Sequence, residues 1–229
     1  MNAESVTLDV EGAQPVAGLL IRPPGAVACY VFAPGAGAGI GHTFMTSCAD
    51  ELARLGIATL RYQFPYMQRG SRRPDAPETC HATVRAAVRY ANDLRPALPL
   101  IAGGKSFGGR MTSQAQALGA LPGVLGLAFL GFPLHPPKKP SDARAKHLYD
   151  VKIPMLFLQG TRDELASLDL LQALVRWLGS RATLHLAEGA DHSFHVPARS
   201  GRKDAEVRGE LLQAFSEWTA ATVEDVRSG

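Results

Sequence analysis

The stretch Gly103-Gly104-Lys105-Ser106-Phe107-Gly108-Gly109 admits two readings that lead to different folds. Its first half, GGKS, has the ending of a phosphate-binding loop. Its second half completes Gly104-Lys105-Ser106-Phe107-Gly108, the G-x-S-x-G pattern that places a nucleophilic serine on a sharp strand-to-helix turn. A Walker A loop needs a first glycine five positions before Gly104, and that position is Pro99. The residues between, Leu100 to Ala102, are apolar and read as a strand, which leaves no room for a phosphate cradle. The other glycine-rich loop, GAGAGIGHT (35–43), has His42 where lysine is required, and none of its glycines satisfies G-x-G-x-x-G. The serine reading meets its demands: a turn with a strained central residue needs small neighbours two positions away on both sides, and Gly104 and Gly108 supply them.

Outward from this stretch, short apolar runs alternate with segments of helical period, the pattern of an α/β domain with a largely parallel sheet. VTLDV (6–10) and VAGLLI (16–21) flank a turn at Gly12 and predict an opening hairpin. AVACYVFA (26–33) is a buried strand, a helix runs from about Thr43 to Leu55 and stops at Gly56, and IATLRYQF (57–64) is the next strand. A loop rich in Pro and Arg leads to a helix from about Glu78 to Leu94, where Val84, Ala87, Val88 and Ala91 recur at helical spacing. PLIAGGKS enters the serine turn and FGGRMTSQAQAL leaves it as a helix. GVLGLAFLGF (123–132), IPMLFLQG (153–160) and ATLHLAEG (182–189) complete the strands. Helices are expected before Asp150, over Leu168 to Leu178, and from Asp204 to about Val226. With no repeat or linker, 229 residues read as one domain, 1–229.

Bulk composition narrows the function classes. The net charge of +3 and the scattered basic residues lack the dense basic stripe of a nucleic-acid binder. The N-terminus MNAESVTLDVEG has no basic region followed by an apolar run, and no apolar stretch is long enough to span a bilayer. A cytoplasmic location without membrane association is expected. Cys29, Cys48 and Cys80 form no C-x-x-C pair, so neither a disulfide framework nor a zinc site is indicated. No metal and no cofactor is expected.

A serine hydroxyl attacks only when a base takes its proton and a carboxylate orients that base. Downstream of Ser106, in the order Ser, Asp, His, stand Asp163 in the loop after IPMLFLQ and His192 in the loop after TLHLAE. Both follow the carboxyl ends of strands, where ligands bind in such sheets. Glu164 and Asp169 are rivals for Asp163 but lie further into the next helix, and His195 competes with His192. Asp191 adjoins His192, and neighbouring side chains usually diverge. The remaining histidines share no metal-ligand spacing and read as structural or surface. Donors for a developing oxyanion should be the Phe107 N–H and an N–H of the loop after the third strand, Ala36 first and Gly37 in reserve. Tyr62, Phe64, Tyr66 and Phe132 are candidates to line an apolar substrate pocket. Lys105 should point away from the reaction centre, toward a carboxylate on a neighbouring loop.

Together APGAGAGIGHTFM (33–45), RYQFPYMQRGSRRPD (61–75), GGKSFGGRM (103–111), GFPLHPPKKP (131–140), LFLQGTRDEL (156–165) and EGADHSF (188–194) resemble the α/β-hydrolase superfamily. Within it they resemble the dienelactone-hydrolase-like branch, which includes testis-expressed hydrolase-like proteins and subunit 3 of the non-specific lethal chromatin complex. The resemblance implies an α/β-hydrolase fold, a mostly parallel eight-stranded sheet with helices on both faces, and the triad Ser106, Asp163 and His192. Many relatives have His-Gly where this chain has Pro34-Gly35.

About twenty residues separate Phe132 from Ile153, too few for a large lid domain. An open mouth fits small esters, thioesters or lactones. Arg69, Arg72, Arg73, Lys138 and Lys139 are placed to rim the same face and attract anions. The expected function is a serine hydrolase acting on a small-molecule substrate, with oligomeric state undetermined. The alternative is a catalytically weak interaction protein on the same fold, and an acyltransferase would share the triad.

Overall fold

The structure, a computed structural model, describes residues 2–94 and 96–228. The hairpin β1 (Glu4–Leu8) and β2 (Val16–Ile21) opens the chain. Then follow β3 (Ala28–Ala33), α1 (Thr43–Arg54), β4 (Ile57–Tyr62), α2 (Pro65–Gln68), α3 (Pro77–Asp93), β5 (Leu100–Lys105) and α4 (Phe107–Leu118). The second half adds β6 (Val124–Leu130), a 3₁₀ segment (Ala143–Asp150), β7 (Met155–Gly160), α5 (Leu168–Leu178), β8 (Ala182–Ala187) and α6 (Asp204–Ser228). The strands form one sheet in the order β1-β2-β4-β3-β5-β6-β7-β8; β2 runs antiparallel to both its neighbours, β1 and β4, and the remaining pairs are parallel.

Strand side chains alternate between two apolar layers, as the two-residue period of a strand requires. Cys29, Val31, Ala102, Phe129 and Phe157 face α3, α4 and α5. Tyr30, Phe32, Ile101, Leu130 and Leu158 face α1 and α6. This is the eight-stranded α/β-hydrolase arrangement, and the β6–β7 connection carries only the 3₁₀ segment rather than a lid.

From β3 the chain crosses through α1 to β4 on one side, whereas β5 lies on the other side of β3. The loops leaving β3 and β5 therefore part toward opposite faces, opening a crevice at their carboxyl ends. The serine turn and the glycine-rich loop are the two walls of that crevice.

The short helix α2 lies in the Pro- and Arg-rich stretch that reads as a loop. Pro65 stands in its first turn, and the Tyr66 N–H is satisfied at 2.7 Å by Asp75 Oδ2, nine residues on. A cap supplied from such a distance leaves no local pattern to read.

Candidate active site

β5 ends at Lys105 and α4 begins at Phe107, so Ser106 must reverse the chain alone. It does so at φ 49° and ψ −114°, a region costly for any residue with a Cβ. The turn is held by Ser106 N–H to Leu130 O at 3.1 Å and Arg110 N–H to Ser106 O at 3.1 Å. It lies hard against the end of β3. A Cβ on Gly104 would stand 2.4 Å from Ala33 O, and one on Gly108 would stand 2.5 Å from Pro34 O. Those two glycines are thus required by the approach of a neighbouring backbone.

The structure brings Ser106, His192 and Asp163 together. Ser106 Oγ lies 2.8 Å from His192 Nε2, and His192 Nδ1 lies 2.6 Å from Asp163 Oδ2. Asp163 is 5% exposed and also accepts from Leu165 N–H (2.7 Å) and Gln159 Nε2 (2.5 Å). A carboxylate in such a shell of donors takes the imidazole Nδ1–H as another, leaving the Nε2 lone pair toward the serine hydroxyl. Gln159 is buried and also accepts the Phe132 N–H at 2.8 Å, so it ties the acid to β6. Sequence reading missed it, because a glutamine inside an apolar strand has no motif around it.

The rival residues lie elsewhere. Glu164 and Asp169 are exposed. His195 pairs with Asp204 on the surface at 2.9 Å, which raises the imidazole pKa and lowers that of the carboxyl. Asp191 builds the loop instead: its Oδ1 accepts the N–H groups of Ser193 (2.8 Å) and His195 (2.9 Å), forming the tight turn that presents His192. Phe194 in this turn takes φ 62°.

Lys105 reaches a neighbouring loop, but its partner is no carboxylate, and it stays among the residues that border the cavity at Ser106. Its Nζ donates to the backbone carbonyl of His192 at 2.5 Å, and among the described residues it forms no ion pair within 4.0 Å. The ammonium also lies 5.2 Å from the Phe194 ring centre and 5.8 Å from that of Phe44. Burial lowers its pKa to about 8.

A cavity of about 390 Å³ opens at Ser106 and His192. Its walls include Ala36, Ala38, His42, Phe44, Met45 and Leu165. Tyr62, Phe64 and Phe132 do not line it. All three are fully buried, Phe64 against Tyr62 and Phe107, Phe132 against Phe129 and Phe157. The reason is that strand ends beneath the elbow are roofed by α3 and α4, so aromatics there become core. Tyr66 is likewise buried. Instead the cavity draws on the β3–α1 loop and the first turn of α1, where His42 also caps the helix by accepting Phe44 N–H at 3.2 Å. A Thr-Phe-Met sequence opening a helix gave no reason to expect this.

Ala36 borders the cavity, and the Phe107 N–H, first in α4, is one of the donors a helix start leaves without an intrahelical acceptor. Gly37 takes φ 75°, and its backbone offsets part of the rise that burial imposes on the Tyr66 phenol, whose hydroxyl makes no hydrogen bond among the described residues. Of the five basic residues expected at the rim, none lines the cavity, and Arg69 is paired with Asp75. The cysteines are free and buried, their thiols pushed up to about 12 by desolvation. Among the described residues, no three His, Cys, Asp or Glu are grouped to hold a metal ion, and no helix is long and apolar enough to cross a membrane.

A sheet of this order with a serine elbow, a buried acid and a histidine loop defines an α/β hydrolase. The chain belongs to the family described as the alpha/beta hydrolase domain, which matches residues 26–220. Among solved structures it is similar to a serine hydrolase without lid from Xanthomonas campestris, at 23% identity over 95% of each chain with a TM-score of 0.73. It is also similar to a dienelactone hydrolase from Anabaena variabilis, at 21% identity over 96% of this chain and 97% of that one, TM-score 0.75. An α/β serine hydrolase homologue from Coxiella burnetii has 21% identity over 93% and 98%, TM-score 0.72.

Proposed function

We infer that this protein is a serine hydrolase that cleaves small ester, thioester or lactone substrates through an acyl-enzyme on Ser106. The observation that carries this reading is the relay from Asp163 through His192 to Ser106, at 2.6 and 2.8 Å. His192 Nε2 takes the hydroxyl proton as Oγ adds to the substrate carbonyl, forming a tetrahedral oxyanion. The N–H groups of Phe107 and Ala36 receive that charge, each donor worth about 3 kcal/mol in the transition state. His192 then protonates the leaving oxygen or sulfur, and the acyl group remains on Ser106. A water deprotonated by His192 releases the acid, restoring the hydroxyl. Asp163 keeps the imidazole in the tautomer this cycle needs and stabilises the imidazolium between steps.

The small, mostly apolar cavity and the lack of a lid favour short substrates, and the dienelactone hydrolase among the similar structures supports a lactone or small-ester class. The sequence resemblance to the dienelactone-hydrolase-like branch agrees with it. A cytoplasmic enzyme acting without nucleic acid or membrane is the accompanying proposal.

The test is Ser106→Ala with a fluorophosphonate probe and p-nitrophenyl acetate. Wild-type protein should label and turn over; the variant should not label, and kcat should fall by about 10⁶ where background hydrolysis permits the comparison. Wild-type protein that neither labels nor hydrolyses would leave the fold as a binding scaffold and end this reading.

A further inference from the structure

We propose that Lys105 is a positioning residue for His192, clamping the histidine loop to the nucleophile elbow through its hydrogen bond to the His192 carbonyl. This rests on the hydrolase reading above and deepens it. The elbow and the histidine loop are far apart in sequence and on different strands, yet Ser106 Oγ and His192 Nε2 must hold hydrogen-bond distance through both halves of the cycle. The residue next to the nucleophile reaches the backbone of the base itself, at 2.5 Å. Because the bond is to main chain, it fixes the loop rather than the ring and leaves both ring nitrogens for Asp163 and Ser106.

The surroundings of the ammonium are built for a single position. The Phe194 and Phe44 rings lie 5.2 and 5.8 Å away, and a Cβ on Gly131 would come within 2.8 Å of Nζ. Gly131, at φ 71°, thus leaves the space the ammonium fills at the end of β6. Phe194 belongs to the turn that carries His192, so Lys105 touches that turn twice, once by carbonyl and once by ring. The groups that face the ammonium electrostatically are Asp163 from the loop after β7, Asp191 from the histidine turn, and Cys48 from α1. Cys48 is neutral in the working range, since burial pushes its thiol to about 12. The two carboxylates favour the charged lysine and desolvation opposes it more strongly, so the group loses its proton near pH 8. Above that pH a neutral amine is a weaker donor and the clamp loosens.

Lys105→Met keeps the length and removes the donor. With p-nitrophenyl acetate, kcat should fall about 10- to 100-fold while KM changes by less than about 2-fold, the pattern of a base misplaced by a fraction of an ångström. Wild-type kcat should decline above pH 8, and that limb should be absent in the variant. The His192 Nδ1–H proton resonance, observed by NMR in Ser106→Ala protein, should broaden when Lys105→Met is added, because the loop opens to exchange. Should Lys105→Met fail to fold, Lys105→Gln, which retains an N–H donor, is measured for the same pH limb and should lack it while keeping more of the kcat. A variant with wild-type kcat, a loss confined to KM, or an unchanged pH profile overturns the assignment. Fluorophosphonate labelling of wild-type protein separates the two failures: labelled wild type with an unaffected variant rejects only the clamp, whereas unlabelled wild type rejects the hydrolase reading beneath it.

Discussion

Gly104 illustrates how a single missing side chain can fix a site. The last residues of β5 run so close to β3 that any Cβ here meets Ala33 O at 2.4 Å and Ala33 Cβ at 2.8 Å. Both obstacles are on the neighbouring strand, where a shift would break the parallel ladder from Cys29–Leu100 to Ala33–Gly104. Gly104→Ala should therefore lower stability by about 3 kcal/mol, the upper range for overpacking. Urea unfolding of the purified variant measures it, and a loss below about 1 kcal/mol would mean the end of β3 yields easily. Ser106 two residues later bears the backbone strain itself, at φ 49°. The motif was legible because its chemistry is local: small, any, serine, any, small. Lys105 was half legible. Its position before Ser106 was plain, but the choice of a carbonyl over a carboxylate depends on a loop nearly ninety residues away.

At the scale of elements, the crevice depends on how the β3–α1 loop is held. Arg61, at 2% exposure on β4, sends Nη1 to Ile40 O (2.9 Å) and to Thr46 Oγ1 (3.0 Å), and so fastens that loop and α1 to the sheet. No ion pair within 4.0 Å balances it among the described residues, and burial lowers its pKa. An arginine held there with no close ion pair, favoured only by the charge of Asp50 beyond that distance, adds little net stability, because desolvation offsets much of what its hydrogen bonds contribute. Arg61→Met should accordingly change unfolding free energy by no more than about 2 kcal/mol while lowering kcat about 10-fold, through a looser Ala36. Hydrogen exchange should quicken at the amides of residues 36–42. If exchange stays slow there and kcat is unchanged, the loop is self-supporting. Neither Arg61 nor Gln159 announced itself in the sequence. A buried polar side chain within an apolar run looks the same whether it is paired to a distant loop or lies at a strand edge.

For the molecule as a whole, stability should carry an acid dependence traceable to His147. This ring, half-buried in the 3₁₀ segment, lies 2.8 Å from Ser113 Oγ on α4. Desolvation and then the charges of Arg110 and His81 lower its pKa to about 4, against an ordinary value of 6.5. The unfolded chain thus binds a proton before the folded one does. The contribution is fully present above pH 6.5 and is lost as pH falls from 6.5 toward 4. It amounts to roughly 3 kcal/mol at most, reduced by the ring's partial exposure. His147→Gln should narrow the gap between unfolding free energies measured at pH 7 and pH 4.5. An identical gap in both proteins would exonerate the imidazole.

What the amino-acid order determined by itself was the alternation of strands and helices, the serine turn, and the presence of Asp163 and His192 on loops after later strands. The alternation and the turn are encoded in residues adjacent or one helical repeat apart, Asp163 and His192 in their places just after apolar strands, and the α5 boundaries, Leu168–Leu178, fell where the periodicity placed them. Folding in three dimensions decided the rest. It set β4 and β5 on opposite sides of β3, sent the aromatics Tyr62, Phe64 and Phe132 into the core, and gave the cavity walls to the first turn of α1. Which faces meet depends on free energies summed over pairs distant along the chain, and a short run of residues holds no record of a neighbour it reaches only after the chain has folded.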